Sequence, residues 1–339
     1  MTIVITGGGG FLGARLARAL LARGWSTDPQ GGRVPIVRLH LLDRVAPPED
    51  LRADPRVTHV SADLLELLAS TQALPSDTAA VFHLAAAVSG ECEADFDLGM
   101  RSNLDATRGL LEACRRLPRP ATFVYASSLA VFGSTPGLAL PDPIDDLTLP
   151  TPQTSYGTQK YIGELLVADH TRKGHLRGRS VRLMTASVRA GRPNGAASSF
   201  LSGIVREPLA GLRAVCPVEA HAAVALSSPT RAIEGLLCAH DSSDAAWGST
   251  LALTLPSIAL TVGEMVQALE RVAGPQASAL IDWQPDARIA SMVNGWPARV
   301  RSDRAAALGL RPDVDFDSVI RDYVRESPHA VKMTLRNPG

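Results

Sequence analysis

Tyr156 and Lys160 stand four residues apart in Tyr156-Gly157-Thr158-Gln159-Lys160. At the start of a helix that spacing stacks a phenol and an ammonium on one face. A free phenol gives up its proton only near pH ~10. Tyrosine therefore serves as a general base near neutrality only where positive charge beside it favours the phenolate. Lys160 supplies such a charge. Ser128, in Ser127-Ser128-Leu129-Ala130-Val131-Phe132-Gly133, adds a hydroxyl able to hydrogen-bond an oxygen whose charge changes during reaction. Each piece has an ordinary reading too. Such Tyr/Lys pairs are common on exposed helices, and Ser127 or Ser128 could simply cap a turn.

A second constellation decides between the readings. Thr6-Gly7-Gly8-Gly9-Gly10-Phe11-Leu12-Gly13 follows an apolar strand at once and opens an amphipathic helix. Gly7 allows the tight turn, Gly10 lets backbone approach a pyrophosphate, and Gly13 packs helix on strand. The free N–H groups of Phe11 and Leu12 and the helix dipole then favour an anion. Alone such a turn is weak evidence; between a strand and a helix it reads as a dinucleotide site. Asp43 ends the second strand, where a carboxylate accepts the adenosine ribose hydroxyls and repels a 2′-phosphate. Asp43 could instead cap a turn, and Arg44 beside it could meet a phosphate, but the reading taken is NAD. Its oxidised nicotinamide would add positive charge near Tyr156, and Lys160 could also hold the ribose hydroxyls.

These groups need a frame. Candidate strands at 2–6, 35–42, 57–60, 79–84, 121–126 and 180–187 alternate with helical patterns at 10–23, 64–73, 96–117 and 155–173. That alternation, with near-continuous apolar strands, predicts an α/β fold: a Rossmann-type doubly wound parallel sheet with a smaller C-terminal substrate lobe. Residues 26–32 read as a surface excursion before the second strand. After Val188 the chain turns polar and irregular, then shows helical spacing at 200–209, 262–273 and 317–325 and a short strand near 215–218. The expected division is a nucleotide-binding domain at 1–188, with 224–253 returning to it. The substrate lobe is expected at 189–223 and 254–330.

Taken together, these motifs resemble the extended short-chain dehydrogenase/reductase family, of the NAD-dependent epimerase/dehydratase type, over nearly the whole chain. The resemblance implies catalysis by Tyr156, Lys160 and Ser128. It places Asp63 and Leu64 at the adenine, and Leu84, Ala85 and Ala86 beside the phosphates and ribose, in His83-Leu84-Ala85-Ala86. It gives Asn103 a structural or proton-relaying place at the cofactor. Without the family, His83 on an apolar strand reads as a satisfied core histidine.

A narrower resemblance runs through Ser155–Leu166, Ser187–Phe200 and Arg206–Leu209. This run looks like the D-erythronate dehydrogenase group of the family, whose members oxidise the C2 alcohol of a four-carbon sugar acid in carbohydrate catabolism. It implies a small sugar acid held by Arg189, Asn194 and Ser198, with Ser199 nearby and Ser89 a weaker candidate. The bland alternative is a solvated loop with a helix cap at Ser198 or Ser199. Arg206 beside Glu207 reads equally as an ion pair. The run departs from the group at Ala190, where proline is usual, and at Val218–Ser228, which lacks an expected arginine and tryptophan. Those departures leave another aldonate or hydroxy acid open. The competing functions are a nucleotide-sugar epimerase or dehydratase and, further off, a non-catalytic NAD sensor.

Composition bounds the rest. The chain has 339 residues, 45% apolar and 20% charged, with 34 basic and 34 acidic side chains and no basic block. Nucleic acid and anionic membrane are poor partners for such a surface. Cys92, Cys114, Cys216 and Cys238 form no metal or redox motif, so no metal is expected. The first strand starts directly after Met1 and no apolar run reaches the ~20 residues a membrane helix needs. A cytoplasmic protein is expected, with a homodimer possible through the helices at 96–117 and 155–173.

Overall fold

The computed structural model describes residues 1–69, 74–135, 137–191 and 193–336. Seven parallel strands form the main sheet: β1 (Thr2–Thr6), β2 (Arg38–Asp43), β3 (Val57–Ser61), β4 (Thr78–His83), β5 (Thr122–Ser128), β6 (Arg177–Leu183) and β7 (Leu253–Thr254). Their order is β7-β6-β5-β4-β1-β2-β3. From β1 the chain winds outward through β2 and β3, then returns to place β4 on the other side of β1. The connections diverge there, opening a crevice at the carboxyl ends of the strands.

Side-chain alternation divides the core between the two faces of the sheet. Ile3, Ile5, Leu39, Leu41, Phe82 and Val124 pack on one side with Leu16 and Leu20 of the helix Phe11–Arg23 and Leu236 of the helix Pro229–Asp241. Val4, Val81, Phe123 and Tyr125 pack on the other with Leu110, Leu111 and Val167, from the helices Ala106–Arg115 and Ser155–Arg172. Each fully buried leucine or valine contributes about 1.5–3 kcal/mol, so apolar strands covered on both faces hold the frame rigid under the crevice.

A third cluster belongs to the C-terminal part. Ile204, Leu209, Met265, Leu269, Phe316 and Ile320 pack together from the helices Phe200–Leu209, Val262–Ala273 and Phe316–Glu326. Beside them lies a three-stranded sheet with Ala223–Ser227 between Thr185–Ala186 and Ile258–Thr261.

Four expected elements differ from the structure. The strand expected at 180–187 is two strands. β6 ends at Leu183, and Thr185–Ala186 pairs instead with Leu226 and Ser227 in the smaller sheet, so Met184 turns the chain from one sheet to the other. The excursion at 26–32 is a hairpin of Trp25–Thr27 and Arg33–Pro35, whose turn is closed by the Asp28 carboxylate accepting from the N–H groups of Gln30 and Gly32. Pro35 pairs back onto Trp25, which delays the second strand to Arg38. The helix expected at 96–117 breaks into Phe96–Gly99, a wide π-type turn at Met100–Asp105, and Ala106–Arg115. The helix expected at 64–73 is seen as Leu64–Leu68; residues 70–73 lie outside the described residues.

Among the described residues no helix is long and apolar enough to cross a membrane, and no cluster of His, Cys, Asp and Glu could hold a metal ion.

Candidate active site

A cleft of about 490 Å³ opens at the carboxyl ends of the central strands. Gly7 turns the chain out of β1 with φ +72°, a conformation side chains other than glycine resist. The turn is pinned by the Gly7 N–H donating to the Leu42 carbonyl at 2.8 Å and Gly10 N–H to Gly7 oxygen at 3.1 Å. A Cβ at Gly13 would run into that same Gly7 oxygen. The helix Phe11–Arg23 then starts without a side-chain cap, so its first N–H groups remain for an anion. Gly7, Gly10, Phe11, Leu12 and Gly13 all line the cleft.

Asp43 fastens the end of β2 to this turn. One carboxylate oxygen accepts from Gly9 and Gly10 N–H at 3.0 and 3.1 Å, the other from Val45 N–H at 3.1 Å. It also faces the cleft, as do Asp63 and Leu64, with Asp63 capping the next helix through Leu65 N–H at 2.9 Å. Leu84, Ala85 and Ala86 continue the wall beyond β4. His83 stays behind it, held between the hydroxyls of Thr6 at 2.6 Å and Thr107 at 2.9 Å. Burial pushes its imidazole down to about 3, so it is neutral core.

Tyr156 and Lys160 ride on the helix Ser155–Arg172, whose start is capped by Thr154 accepting from Gly157 N–H at 3.0 Å. A Cβ at Gly157 would strike the Ala130 carbonyl, so only glycine lets this helix sit so near the exit of β5. Tyr156, Lys160 and Ser128 meet on the cleft wall. The Lys160 ammonium donates to the Ala126 carbonyl at 2.9 Å and lies 5.8 Å from the centre of the Tyr156 ring. Burial brings Lys160 down to about 8. Burial pushes the Tyr156 phenol up to about 12, against the opposing pull of a Ser128 hydrogen bond and the Arg189 charge. Ser128 itself accepts from Ala130 N–H at 3.1 Å.

Residues 3–220 match the model of the NAD dependent epimerase/dehydratase family. The chain belongs to that family. It is 47% identical to D-erythronate dehydrogenase from Cupriavidus necator, over 96% of this chain and 99% of that one. The protein of the same name from Haemophilus influenzae is 41% identical, again over 96% and 99%. A solved nucleoside-diphosphate-sugar epimerase from Agrobacterium tumefaciens is 37% identical, covers 97% of this chain and 95% of its own, and has a TM-score of 0.85. L-threonine 3-dehydrogenase from Trypanosoma brucei, at 21% identity, 97% coverage of each chain and a TM-score of 0.81, shares the fold.

NAD is the cofactor of this family, and the cradle suits it: a glycine turn with no room for Cβ atoms, an uncapped helix start and a carboxylate, Asp43, on the cleft wall where β2 ends. The epimerase/dehydratase frame also puts Ser89, Arg189 and Ser198 on the cleft wall. Ser89 accepts from Ala197 N–H at 3.1 Å, tying the polar loop to the loop after β4. Arg189 is half-buried. Its backbone is held by Ser202 accepting from its N–H at 3.0 Å and by Arg206 donating to its carbonyl at 2.8 Å. Among the described residues its guanidinium has no hydrogen-bond or ion-pair partner, and burial, then the nearby Arg206 charge, lower its pKa.

Three expected residues, Asn103, Asn194 and Ser199, do not reach the cleft. Asn103 is buried behind it, where its amide bridges both backbone groups of Ala87, at 2.8 and 3.1 Å, and the Gln159 side chain at 2.9 Å. The wide turn at Met100–Asp105 carries it there. Asn194 is exposed and accepts from Ala196 N–H at 3.2 Å within its own loop. Arg192, in the same run, lies outside the described residues. Ser199 accepts from Asn194 N–H rather than facing the cleft. Arg206 makes the ion pair with Glu207, at 2.5 Å. None of Val218–Ser228 lines the cleft, so the departures there do not alter its wall. Trp296 does line it and was not expected: it arrives from far along the chain, with no local motif to mark it.

Proposed function

We propose that the protein is an NAD-dependent dehydrogenase that oxidises the C2 hydroxyl of a small sugar acid, D-erythronate above all, to the 2-oxo acid. The carrying observation is the Arg189 guanidinium, half-buried on the cleft wall that also carries Tyr156 and without a hydrogen-bond or ion-pair partner among the described residues. A partly desolvated cation facing a cleft favours an anionic ligand, and a substrate carboxylate would meet it with charge-assisted hydrogen bonds. Ser89 and Ser198 line the same cleft and offer hydroxyl partners for the sugar oxygens.

When bound, NAD supplies the hydride acceptor. Tyr156, as phenolate, takes the proton from the C2 hydroxyl as the C2 hydrogen leaves with its electron pair. Ser128 hydrogen-bonds that oxygen, and Lys160 favours the phenolate by its charge. Leu84, Ala87, Leu183 and Met184 add apolar surface to the same wall. In this reading residues 1–188 and 224–253 hold the cofactor and 189–223 with 254–330 grip the acid. A homodimer through the helical face bearing exposed Phe96 and Leu165 belongs to the same proposal.

The name of the Agrobacterium structure favours a second reading, epimerisation of a nucleotide sugar. The two reactions part over the cofactor, since an epimerase returns its hydride and a dehydrogenase releases NADH. The test is a panel of four- to six-carbon aldonates with NAD and with NADP, followed by absorbance of the reduced cofactor. Steady NADH formation with D-erythronate is expected. Conversion of a nucleotide sugar with no net NADH, and no turnover of any aldonate, would favour the epimerase.

A further inference from the structure

On the side where β5 ends, Ser127, Ser128, Leu129 and Ala130 form the cleft wall. From the chain after Val188 the wall receives a cation (Arg189), two small residues (Ala196 and Ser198) and one large one, Trp296. The indole is half-buried and packs against the C-terminal core cluster.

What sets Trp296 apart is how it is held. It follows the helix Ala287–Gly295, whose start is fixed by Asp286 accepting from Arg288 and Ile289 N–H at 2.8 and 3.1 Å. The Asp286 N–H in turn donates to the Pro217 carbonyl at 2.9 Å, anchoring that helix to the lobe. On its other side, the Gly295 carbonyl accepts from Ser134 N–H at 3.0 Å, in the loop that leaves the catalytic strand. The chain then runs on as a strap along that loop. Ile144 N–H donates to Arg299 at 3.1 Å, Arg301 N–H returns a bond to Ile144 at 2.8 Å, and Arg299 and Arg301 pair with Asp142 and Asp145. Trp296 is therefore stitched both to the lobe and to the Ser128 side of the sheet. A wall fixed at both margins cannot retreat when a longer ligand enters.

We infer that Trp296 is the specificity-determining residue for acid length, the indole closing the far end of the substrate site so that a four-carbon acid fits and a six-carbon acid does not. The inference rests on the sugar-acid reading above. With the carboxylate on Arg189 and the C2 oxygen between Tyr156 and Ser128, the remaining carbons have to run along the rest of the wall. The face of an indole accepts no conventional hydrogen bond, so hydroxyls pressed against it lose water without replacement. A chain two carbons longer is then refused on both volume and polarity.

The experiment measures D-erythronate and D-gluconate with the wild type, Trp296→Ala and Trp296→Phe. Turnover is read as NADH formation with NAD, and acid binding to the NADH-loaded protein is read by calorimetry. The wild type is expected to favour D-erythronate by at least about tenfold in kcat/KM, and Trp296→Ala to move that ratio toward D-gluconate by about tenfold or more, the scale set by one or two groups in an apolar pocket. Trp296→Phe, which keeps an aromatic ring and guards against an alanine variant that does not fold, is expected to fall between. An unchanged ratio in folded variants, or a wild type that takes D-gluconate equally well, overturns the inference. Calorimetry separates this from failure of the functional reading: a wild type that binds D-erythronate selectively, loses that selectivity in the variants, and yet forms no NADH sinks the dehydrogenase and upholds the role of Trp296.

Discussion

Glu164 and Arg182 form a buried two-pronged ion pair, Nε to Oε1 at 2.9 Å and Nη2 to Oε2 at 2.7 Å, two helical turns beyond Tyr156. Ser127 donates its hydroxyl to the same carboxylate at 2.5 Å, so the pair also ties down the strand end that presents Ser128. The side chains are 5% and 8% exposed, and at that depth the loss of one partner strands the other charge. Glu164→Gln is expected to destabilise the protein by about 3–5 kcal/mol, measured by urea unfolding. The double variant Glu164→Gln/Arg182→Met, which buries neither charge, is expected to recover much of the loss. Equal instability of the single and double variants would count against the stranded charge as the cause.

Tyr156 carries the proton in the proposed reaction, and it sits half-buried in the cleft wall. Tyr156→Phe removes one oxygen and little volume. Turnover is expected to fall by about 10²–10⁴-fold, the usual worth of a positioned general base. NADH affinity, read by fluorescence titration, is expected to stay within about twofold, since dinucleotide recognition rests mainly on the glycine turn and the ribose-side carboxylate. A variant that turns over at the wild-type rate would remove Tyr156 from the chemistry.

Asp43 is expected to choose NAD over NADP. Asp43→Asn keeps an oxygen for the glycine-turn N–H groups but loses the charge that repels a 2′-phosphate. The kcat/KM for NAD is expected to drop by about ten- to a hundredfold, given that hydrogen bonds to charged groups are worth about 1.5–3 kcal/mol. The kcat/KM for NADP should hold or rise. Steady-state kinetics with each cofactor reads both. A parallel fall for the two would mean that Asp43 only shapes the turn.

Features set by neighbours in sequence were legible before any coordinates. The glycine turn, the Tyr156–Lys160 spacing and the continuous apolar strands each depend on a few adjacent residues. The helix Val262–Ala273 begins where Thr261 and Glu264 cap each other, a pattern written in four residues. Features set by distant packing were not legible. Met184 looks like any strand residue, yet the chain changes sheets there because Ser227, over forty residues on, offers Ala186 a partner. Asn194 has the right chemistry for a sugar hydroxyl, but its side chain satisfies its own loop. Asn103 lies in a helical pattern whose register is shifted by a wide turn. Trp296 reaches the cleft only because the strap from 295 to 301 crosses to the loop after β5.

Lys160 makes the conflict between stability and function measurable. Its ammonium is buried with one carbonyl partner, and burial lowers its pKa from 10.5 to about 8. Below pH 8 both folded and unfolded chains hold the proton, and the folded chain carries the full penalty of a buried charge. Between about pH 8 and 10.5 the folded chain gives the proton up while the unfolded chain keeps it, so this group adds stability as pH rises through that window. Lys160→Met removes the charge and keeps the stem. Without cofactor, the variant is expected to be more stable than the wild type at pH 7, by up to about 3 kcal/mol at ~1.4 kcal/mol per pKa unit. The lost hydrogen bond to Ala126 offsets about 1 kcal/mol of that gain. The advantage should shrink as the pH approaches 10.5, while turnover stays low throughout. Urea unfolding of both proteins at pH 7 and pH 10 provides the comparison. A variant less stable at pH 7, or a difference that ignores pH, would show that the ammonium is not held at a cost.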